Sequence, residues 1–303
     1  MNNFKRLALK ILSIPHISLK KYYKQYRKIL NILNPPSEPI YKTLDDRIMI
    51  ENREIPVRVF IPEANPLPKV LIFFHGGGWV TGNIDSYTNV SANMANKTNH
   101  IVISVDYRLA PENPFPAGLE DCYYVTREIF NRPEVLNCRK EDIVLIGDSA
   151  GGNLAAVVSL MARDRGEFLP TKQILIYPAT NYDHSESSPY VSVRENGENY
   201  IMTSRRIQDY MDLYVQNIED RLNPYVAPIL SKDLSNQPET LIITAEFDPL
   251  RDEGEAYGMK LEEFGNNAKI CRIENTIHGF FSNPLSSDSI DKCYEIINSF
   301  LKD

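Results

Sequence analysis

Short runs of wholly apolar residues recur along the chain, and each is followed by a segment with helical periodicity. Runs that are apolar on every side are typical of strands buried on both faces, as in a parallel sheet covered by helices. The predicted strands are residues 70–75, 101–106, 143–147, 173–177 and 240–245. The helical patterns cover residues 86–97, 118–131, 150–164, 254–264 and 289–301. This order predicts an α/β fold with a mostly parallel central sheet and helices on both faces.

An antiparallel strand pair and one long insertion stand apart from this alternation. Residues 47–50 and 57–61 have the pattern of an antiparallel strand pair around a turn at Asn52 and Arg53. About sixty residues separate the strand ending at 177 from the next one, which is too long for a simple crossover. That insertion contains a polar stretch at 183–199 and a helical pattern at 203–217.

These departures predict a domain organisation of a sheet and a cap. The segment 34–39 contains three prolines and marks the first boundary. Residues 1–45 are expected to form an N-terminal cap segment, and residues 46–303 the α/β core. The core carries a cap insertion at about residues 183–222, so the cap is helical and covers one edge of the sheet.

Charge is distributed unevenly along the chain. The 303 residues carry 33 Lys and Arg against 40 Asp and Glu, a net charge of −7, which disfavours a globally basic nucleic-acid binder. Residues 1–37 nevertheless contain eight basic residues and no acidic one. A basic amphipathic helix can lie on anionic lipid. Because Pro15 divides the pattern into two short helices, packing of this segment onto the acidic body is the favoured alternative.

The four cysteines predict a reducing environment. They are far apart, with no C-x-x-C pair, so neither a disulfide framework nor a metal site is expected. No run approaches the length needed to span a bilayer, and no signal-peptide cleavage pattern follows the apolar stretch near the N-terminus. We therefore expect a cytoplasmic protein without a metal or organic cofactor.

The strongest chemical signal is a G-x-S-x-G pattern formed by Gly147, Ser149 and Gly151 with their neighbours. It lies at the end of a predicted strand and the start of a predicted helix, which is the context that a nucleophile elbow requires. Such a sharp turn leaves no room for a side chain at either glycine. It also exposes the serine hydroxyl at the positive end of the helix dipole.

A second motif, His75 followed by Gly76, Gly77, Gly78 and Trp79, ends another buried strand. Successive glycines can direct several backbone N–H groups into one small volume, which suits the oxyanion of a tetrahedral intermediate. A phosphate cradle is disfavoured, because neither G-K-[ST] nor G-x-G-x-x-G occurs here.

A serine nucleophile needs a base that a third group orients. The histidines are His16, His75, His100, His184 and His278. In an elbow fold the order along the chain is Ser, then Asp or Glu, then His, and only His278 follows a full strand and helix. Asp248 ends the preceding strand and is the favoured acid. Glu246 and Asp252 are competitors, although Glu246 should still lie on the strand and Asp252 in the following helix. Asp148 is excluded, because the neighbour of an elbow serine faces away from it.

Six blocks together resemble the hormone-sensitive-lipase-like branch of the α/β-hydrolases, over roughly residues 70–303. They are His75-Gly-Gly-Gly-Trp79, Asp106-Tyr-Arg-Leu-Ala-Pro-Glu112, Phe115-Pro-Ala-Gly-Leu-Glu-Asp121, Gly147-Asp-Ser-Ala-Gly-Gly-Asn153, Asp248-Pro-Leu-Arg-Asp252 and His278-Gly-Phe280. The resemblance implies that Ser149 is the nucleophile, Asp248 the orienting acid and His278 the base. It also implies that Ala150 and the glycines Gly76, Gly77 and Gly78 donate to the oxyanion, with Gly77 and Gly78 as first choices. Residues 106–112 are expected to support the glycine motif.

The expected function is that of a serine carboxylic ester hydrolase, an esterase for short- to medium-chain acyl esters that forms an acyl-serine intermediate. A catalytically silent ligand-binding homologue and a membrane-surface lipase are the alternatives, and the presence of His278 favours the enzyme. Amides, lactones and acetylated sugars stay open as substrates. Trp79, Tyr182 and Tyr190 either line the pocket or pack in the core and cap. The expected partners are a small-molecule ester and a second copy of the chain, joined through an edge strand at 269–273.

Overall fold

A computed structural model describes residues 18–33, 42–50, 53–64 and 66–302 of the protein. In these ranges the strands form one sheet in the order β1-β2-β4-β3-β5-β6-β7-β8. The strands are β1 Lys42–Ile50, β2 Arg53–Ile61, β3 Val70–Phe74, β4 Ile101–Val105, β5 Ile143–Asp148, β6 Lys172–Ile176, β7 Glu239–Phe247 and β8 Ala268–Ile277. The α-helices are α1 Leu19–Leu33, α2 Thr88–Thr98, α3 Ala117–Asn131, α4 Ala150–Arg165, α5 Val191–Asn196, α6 Ser204–Tyr214, α7 Arg251–Glu263 and α8 Ser287–Lys302.

The sheet is parallel except around β2. This strand runs antiparallel to both of its neighbours, β1 and β4, whereas the pairs from β4 through β8 are parallel. The predicted α/β class with a mostly parallel sheet is therefore confirmed. Because the parallel strands end at the same edge, the residues that follow β3, β5, β7 and β8 lie together in space.

Two hydrophobic layers cover the two faces of the sheet. In β3 all five residues are buried, and their side chains alternate between the layers. Val70, Ile72 and Phe74 join the layer that contains residues of α3 and α4. Leu71 and Phe73 join the layer that contains residues of α2 and α8. This double burial explains why the central strands are apolar at every position, and each such side chain contributes roughly 1.5–3 kcal/mol.

The boundaries differ from the sequence prediction mainly at the ends of the sheet. β1 begins at Lys42, so residues 42–45, which were expected in the N-terminal cap segment, already pair with β2. These residues are largely exposed, and their pattern therefore carries little hydrophobic signal. The proline-rich segment 34–39, the turn residue Asn52 and the first of the two predicted N-terminal helices lie outside the described residues.

The connection from β6 to β7 leaves the sheet and carries α5, α6 and two 3₁₀ turns. The predicted helix at 203–217 is α6, which begins one residue after Thr203, whose hydroxyl accepts a hydrogen bond from the N–H of Arg206. Helix α1 packs on α6, and an ion pair joins Lys20 to Asp212. Among the described residues, no helix has the length and apolarity needed to cross a membrane.

Candidate active site

The turn between β5 and α4 has the geometry of a nucleophile elbow. Ser149 adopts φ 55° and ψ −117° between the last residue of β5 and the first residue of α4. A Cβ atom on Gly147 would lie 2.2 Å from the carbonyl oxygen of Gly151, and one on Gly151 would lie 1.9 Å from that of Phe74. The first oxygen belongs to the start of α4 and the second to the end of β3, and neither can move without disrupting its element, so both positions require glycine. The steric reason given for the motif is thus confirmed.

Ser149, His278 and Asp248 form a continuous hydrogen-bonded line. The Oγ atom of Ser149 lies 2.8 Å from Nε2 of His278, and Nδ1 of His278 lies 2.7 Å from Oδ2 of Asp248. An ionised carboxylate can only accept, so Nδ1 carries the proton in the neutral ring and Nε2 accepts from the serine hydroxyl. The structure therefore brings the three predicted residues together in the geometry that activates a serine.

The ends of the strands explain this meeting. Asp248 follows β7 directly and His278 follows β8 directly, at the same edge of the sheet as Ser149. Asp248 and Ser149 are buried, with 0% and 8% of their surface exposed, and the side chain of His278 is 5% exposed. Burial removes competing water, which strengthens each hydrogen bond in the line.

Neighbouring groups fix the orientation of the acid and of the imidazole. The second oxygen of Asp248, Oδ1, accepts a 2.9 Å hydrogen bond from the N–H of Leu250. The side-chain amide of Asn196, in α5, donates to the backbone carbonyl of Asp248 at 3.3 Å. The ring of Tyr177 lies against His278, with 4.7 Å between their centroids. The carboxylate therefore binds the backbone through Oδ1 and the imidazole through Oδ2.

The glycine loop, residues 75–79, follows β3 and has an unusual backbone. Gly77, Gly78 and Trp79 all have positive φ values, of 116°, 61° and 59°. The ring of Tyr210, in α6, packs so closely that a Cβ atom on Gly78 would lie 2.3 Å from it. No described residue accepts a hydrogen bond from the N–H groups of Gly77 and Gly78 or from that of Ala150 at the start of α4. These three donors are available to a ligand.

Gly76 does not fit its expected role as an oxyanion donor. Its N–H already donates a 2.7 Å hydrogen bond to Oδ1 of Asp148, the residue before the nucleophile. The sequence prediction preferred Gly77 and Gly78 but kept Gly76 as a third donor, because the motif does not show where each N–H group points. The correction leaves Gly77, Gly78 and Ala150 as candidate donors.

Two buried titratable groups support the loop. Burial raises the pKa of Asp148 to about 6, although the hydrogen bond from Gly76 and the nearby His278 act in the opposite direction. Burial lowers the pKa of His75 to about 4, so this ring is neutral near neutral pH. His75 stacks on Tyr107 with 4.3 Å between ring centroids, and the Tyr107 hydroxyl donates to the His75 carbonyl at 2.7 Å. As expected, His75 shapes the loop.

Residues 106–112 contact the glycine loop and the segment that follows it. The N–H of Ala110 donates to the carbonyl of Trp79 at 2.9 Å. Asp106 accepts from the N–H of Ile84 at 3.2 Å, just beyond the loop. Arg108 binds the buried carboxylate of Asp121, in α3, through its Nε and Nη2 atoms. The supporting role predicted for this block is confirmed.

Glu246 and Asp252, the two alternatives to Asp248 as the acid, bind groups other than His278. Glu246 lies on β7, as predicted, and accepts from the N–H of Asn275 at 2.6 Å. Asp252 lies in α7, as predicted, and binds Arg251 and the N–H of Ser192. Within the described part of the chain, no group of three or more His, Cys, Asp or Glu side chains could hold a metal ion.

The aromatic residues that the sequence singled out differ in how deeply they are buried. Trp79 is 3% exposed and stacks on Tyr214 with 4.5 Å between ring centroids, so it is a packing residue. Tyr182 and Tyr190 are half-buried. The sequence reasoning missed Tyr177 and Tyr210. Tyr177 directly follows β6, between the ends of β5 and β7, and that position is a signal that could have identified it.

Known proteins share this fold and about a third of the aligned residues. The family model for the α/β hydrolase fold matches residues 71–282. The chain is 34% identical to an arylesterase of Saccharolobus solfataricus over 95% of its own length and 93% of that protein. It is 32% identical to an ethyl acetate hydrolase of Pseudomonas putida, over 76% of this chain and 72% of that one. A hyperthermophilic esterase from the archaeon Pyrobaculum calidifontis superimposes with a TM-score of 0.86 and 36% identity, covering 99% of this chain and 98% of that one.

Proposed function

We propose a two-step acyl transfer at Ser149 for this chain, which belongs to the α/β-hydrolase fold family and is a carboxylic ester hydrolase. The family expected from the sequence motifs is thereby confirmed. One observation carries the proposal: the line of hydrogen bonds from Ser149 through His278 to Asp248, buried at one edge of the sheet. A catalytically silent homologue would have no use for a complete line of this kind.

In the first step Nε2 of His278 takes the hydroxyl proton while Oγ of Ser149 attacks the ester carbonyl carbon. The carbonyl oxygen becomes an oxyanion, and the N–H groups of Gly77, Gly78 and Ala150 stabilise it. Asp248 stays ionised and stabilises the imidazolium. The imidazolium then protonates the alkoxide, the C–O bond breaks, and the alcohol leaves an acyl-serine.

In the second step water replaces the alcohol. His278 removes a proton from the water, whose oxygen attacks the acyl carbon and regenerates the oxyanion. The proton passes to Oγ of Ser149 as the acyl–oxygen bond breaks, which releases the carboxylic acid and restores the enzyme. The two steps consume one ester and one water and yield one acid and one alcohol.

A cap accounts for the proposed preference for short- to medium-chain acyl groups. We assign to it helix α1 together with the insertion at about residues 183–222, whereas the strand from Lys42 onwards belongs to the sheet. Support comes from Tyr210 of α6, which packs directly on Gly78. Because this ring lies beside the proposed oxyanion donors, the cap restricts the space that an acyl chain can occupy.

Hydrolysis of p-nitrophenyl esters, from acetate to palmitate, tests the proposal. We expect turnover to peak at short chains and to fall by a factor on the order of 10⁶ in Ser149→Ala. Ser159→Ala is the matched control, because this buried serine lies on the same helix, α4, away from the triad. Turnover of Ser149→Ala within tenfold of the parent would exclude Ser149 as the nucleophile.

We also propose a cytoplasmic location and pairing of two copies through β8. All four cysteines, Cys122, Cys138, Cys271 and Cys293, are free, which suits a reducing compartment. In the sheet formed by the described residues, β8 is an outer strand that pairs with β7 on one side, so its second edge can pair with another strand. Sedimentation equilibrium should give twice the mass of the chain, and a monomer at micromolar concentration would contradict the pairing.

A further inference from the structure

The guanidinium of Arg27 reaches from α1 to the two segments that flank the glycine loop. Its Nε atom donates a 2.5 Å hydrogen bond to the carbonyl of Val80, the residue immediately after the loop. Its Nη2 atom donates a 2.6 Å hydrogen bond to the carbonyl of Ala110, whose own N–H binds the carbonyl of Trp79. One cationic side chain thus joins the end of the loop to the block that supports it.

A carboxylate holds the guanidinium in this orientation. Glu112 accepts two parallel hydrogen bonds of 3.0 Å from Nη1 and Nη2 of Arg27. The ring of Tyr23, one turn earlier on α1, lies 5.0 Å from the guanidinium carbon. The planar fork of arginine is required to serve a carboxylate and two carbonyls at once, and lysine lacks it.

The loop needs such restraint because its backbone is strained. Three successive residues have positive φ, and one of them, Trp79, is not glycine. Conformations of this kind persist when the surroundings determine them from several sides. Asp148 binds Gly76 near the start of the loop, and Arg27 binds Val80, the residue immediately after the loop.

A shift of Val80 is transmitted to the proposed oxyanion donors. The N–H groups of Val80 and Thr81 both donate to the carbonyl of Gly77, at 3.2 and 2.9 Å. That carbonyl shares a peptide unit with the N–H of Gly78. Movement of Val80 therefore reorients the N–H that must lie about 2.7–3.1 Å from the developing oxyanion.

We propose that Arg27 is a positioning residue, which couples the N-terminal helix to ester hydrolysis by fixing the glycine loop. This inference rests on the proposed function, because it gives Arg27 a role only if Gly77 and Gly78 bind the oxyanion. Oxyanion contacts form in the transition state, so their loss lowers kcat and leaves KM nearly unchanged.

Steady-state kinetics of Arg27→Ala with p-nitrophenyl acetate tests the inference. We expect kcat to fall about 10- to 100-fold, since small displacements of catalytic groups have effects of this size. KM should stay within about twofold. Arg27→Lys keeps the charge without the fork and should give an intermediate kcat. The matched control is Lys28→Ala, an exposed residue on the same helix that contacts no described part of the loop and should leave both constants unchanged.

Chemical rescue separates positioning from a merely structural role. Guanidinium ion, added well below denaturing concentration, should raise kcat of Arg27→Ala and leave Ser149→Ala inactive. Failure of rescue, or an equal loss in Arg27→Ala and Lys28→Ala, would overturn the inference. An unchanged kcat in Arg27→Ala, with Ser149→Ala inactive, would overturn it while the proposed function stands. Substantial turnover by Ser149→Ala would overturn the proposed function itself.

Discussion

The carboxylate of Asp148 accepts a 2.7 Å hydrogen bond from the backbone N–H of Gly76, which ties the residue before the nucleophile to the first glycine of the glycine loop. The two residues are distant in the sequence, but Gly76 follows β3 and Asp148 ends β5. These two strands are parallel neighbours, with Phe74 opposite Gly147. This bond links the start of the glycine loop to the elbow that carries Ser149.

Replacement of Asp148 by Asn should remove a specific pH dependence of stability. Burial raises the pKa of Asp148 from 3.8 to about 6 in the folded protein, so between these values the folded state binds more protons than the unfolded state. The contribution of Asp148 to the free energy of unfolding is therefore fully present below the unfolded pKa of 3.8 and is lost as the pH rises through 6, by about 3 kcal/mol in all. Urea unfolding at pH 4, 5, 6 and 7 should show that Asp148→Asn gains stability relative to the parent over this interval.

Asp142→Asn serves as the control for this measurement. The hydrogen bond from Arg139 lowers the pKa of Asp142, so this carboxylate stabilises the fold above its unfolded pKa, and the effect is lost as the pH falls. Its removal should give a small effect of opposite sign. Parallel pH curves for Asp148→Asn and the parent would contradict the prediction.

Replacement of Gly151 by Ala should destabilise the protein severely. The new Cβ atom would lie 1.9 Å from the carbonyl oxygen of Phe74, a backbone atom at the end of β3. We expect a loss of at least about 4 kcal/mol in the free energy of unfolding, or failure to fold. Thermal and urea unfolding would measure it.

Gly254→Ala is the matched control for the elbow substitution. This glycine lies inside α7, and a Cβ atom there would meet its nearest neighbours at 3.5 Å, an ordinary contact. Since alanine favours the helix by up to about 1 kcal/mol, this variant should be as stable as the parent or more so. If Gly151→Ala were as stable as Gly254→Ala, position 151 would tolerate a side chain and the steric argument would be wrong.

Asp121→Ala should also be destabilising. Asp121 is 1% exposed and accepts hydrogen bonds from Arg108 together with an ion pair of 2.7 Å from Arg53. Its loss leaves the backbone N–H of Arg108 without its acceptor, whereas the guanidinium groups of Arg108 and Arg53 are about one third exposed and can be hydrated. We therefore expect a loss of about 1–3 kcal/mol in the free energy of unfolding. Urea unfolding should show this loss. Glu120→Ala is the control, because this neighbour is 41% exposed and lies 3.8 Å from Arg108, so it should change stability by less than about 1 kcal/mol.

The sequence was sufficient to predict the strands that cross the core and the residues that follow them. Wholly apolar runs mark strands covered on both faces, and the chemistry at their ends follows from parallel alignment, which brings Ser149, Asp248 and His278 together. An exposed strand has few buried positions and therefore little hydrophobic pattern, so the sequence did not predict that β1 begins at Lys42.

Long-range polar contacts set the other limit of prediction. A glycine motif indicates several free N–H groups, but it does not show that one of them binds Asp148. In the same way, the charge of the N-terminal segment favoured packing onto an acidic body, and α1 does place Lys20 against Asp212. The charge pattern does not distinguish Arg27 from the exposed lysines around it. Arg27 nevertheless binds two backbone carbonyls beside the site.

Replacement of Glu253 by Ala should destabilise the connection between β6 and the insertion. Glu253, in α7, is 0% exposed, and its Oε1 atom accepts hydrogen bonds from the N–H groups of Thr180 and Asn181 at 2.8 and 3.1 Å. Its Oε2 atom lies 2.8 Å from Nε2 of the buried His184. The substitution strands two buried N–H donors, so we expect a loss of about 2–6 kcal/mol by urea unfolding.

The comparison with Glu253→Gln identifies which part of that carboxylate matters. Glutamine retains a side-chain carbonyl oxygen that can accept from Thr180 and Asn181, and it loses only the negative charge beside His184. If satisfaction of the backbone dominates, Glu253→Gln should recover more than half of the stability lost in Glu253→Ala. Glu262→Ala, an exposed position on the same helix, should have little effect and controls for helix propensity. Equal losses for Gln and Ala would assign the stabilisation to the charge at His184 instead, because that is the one contact that both substitutions remove.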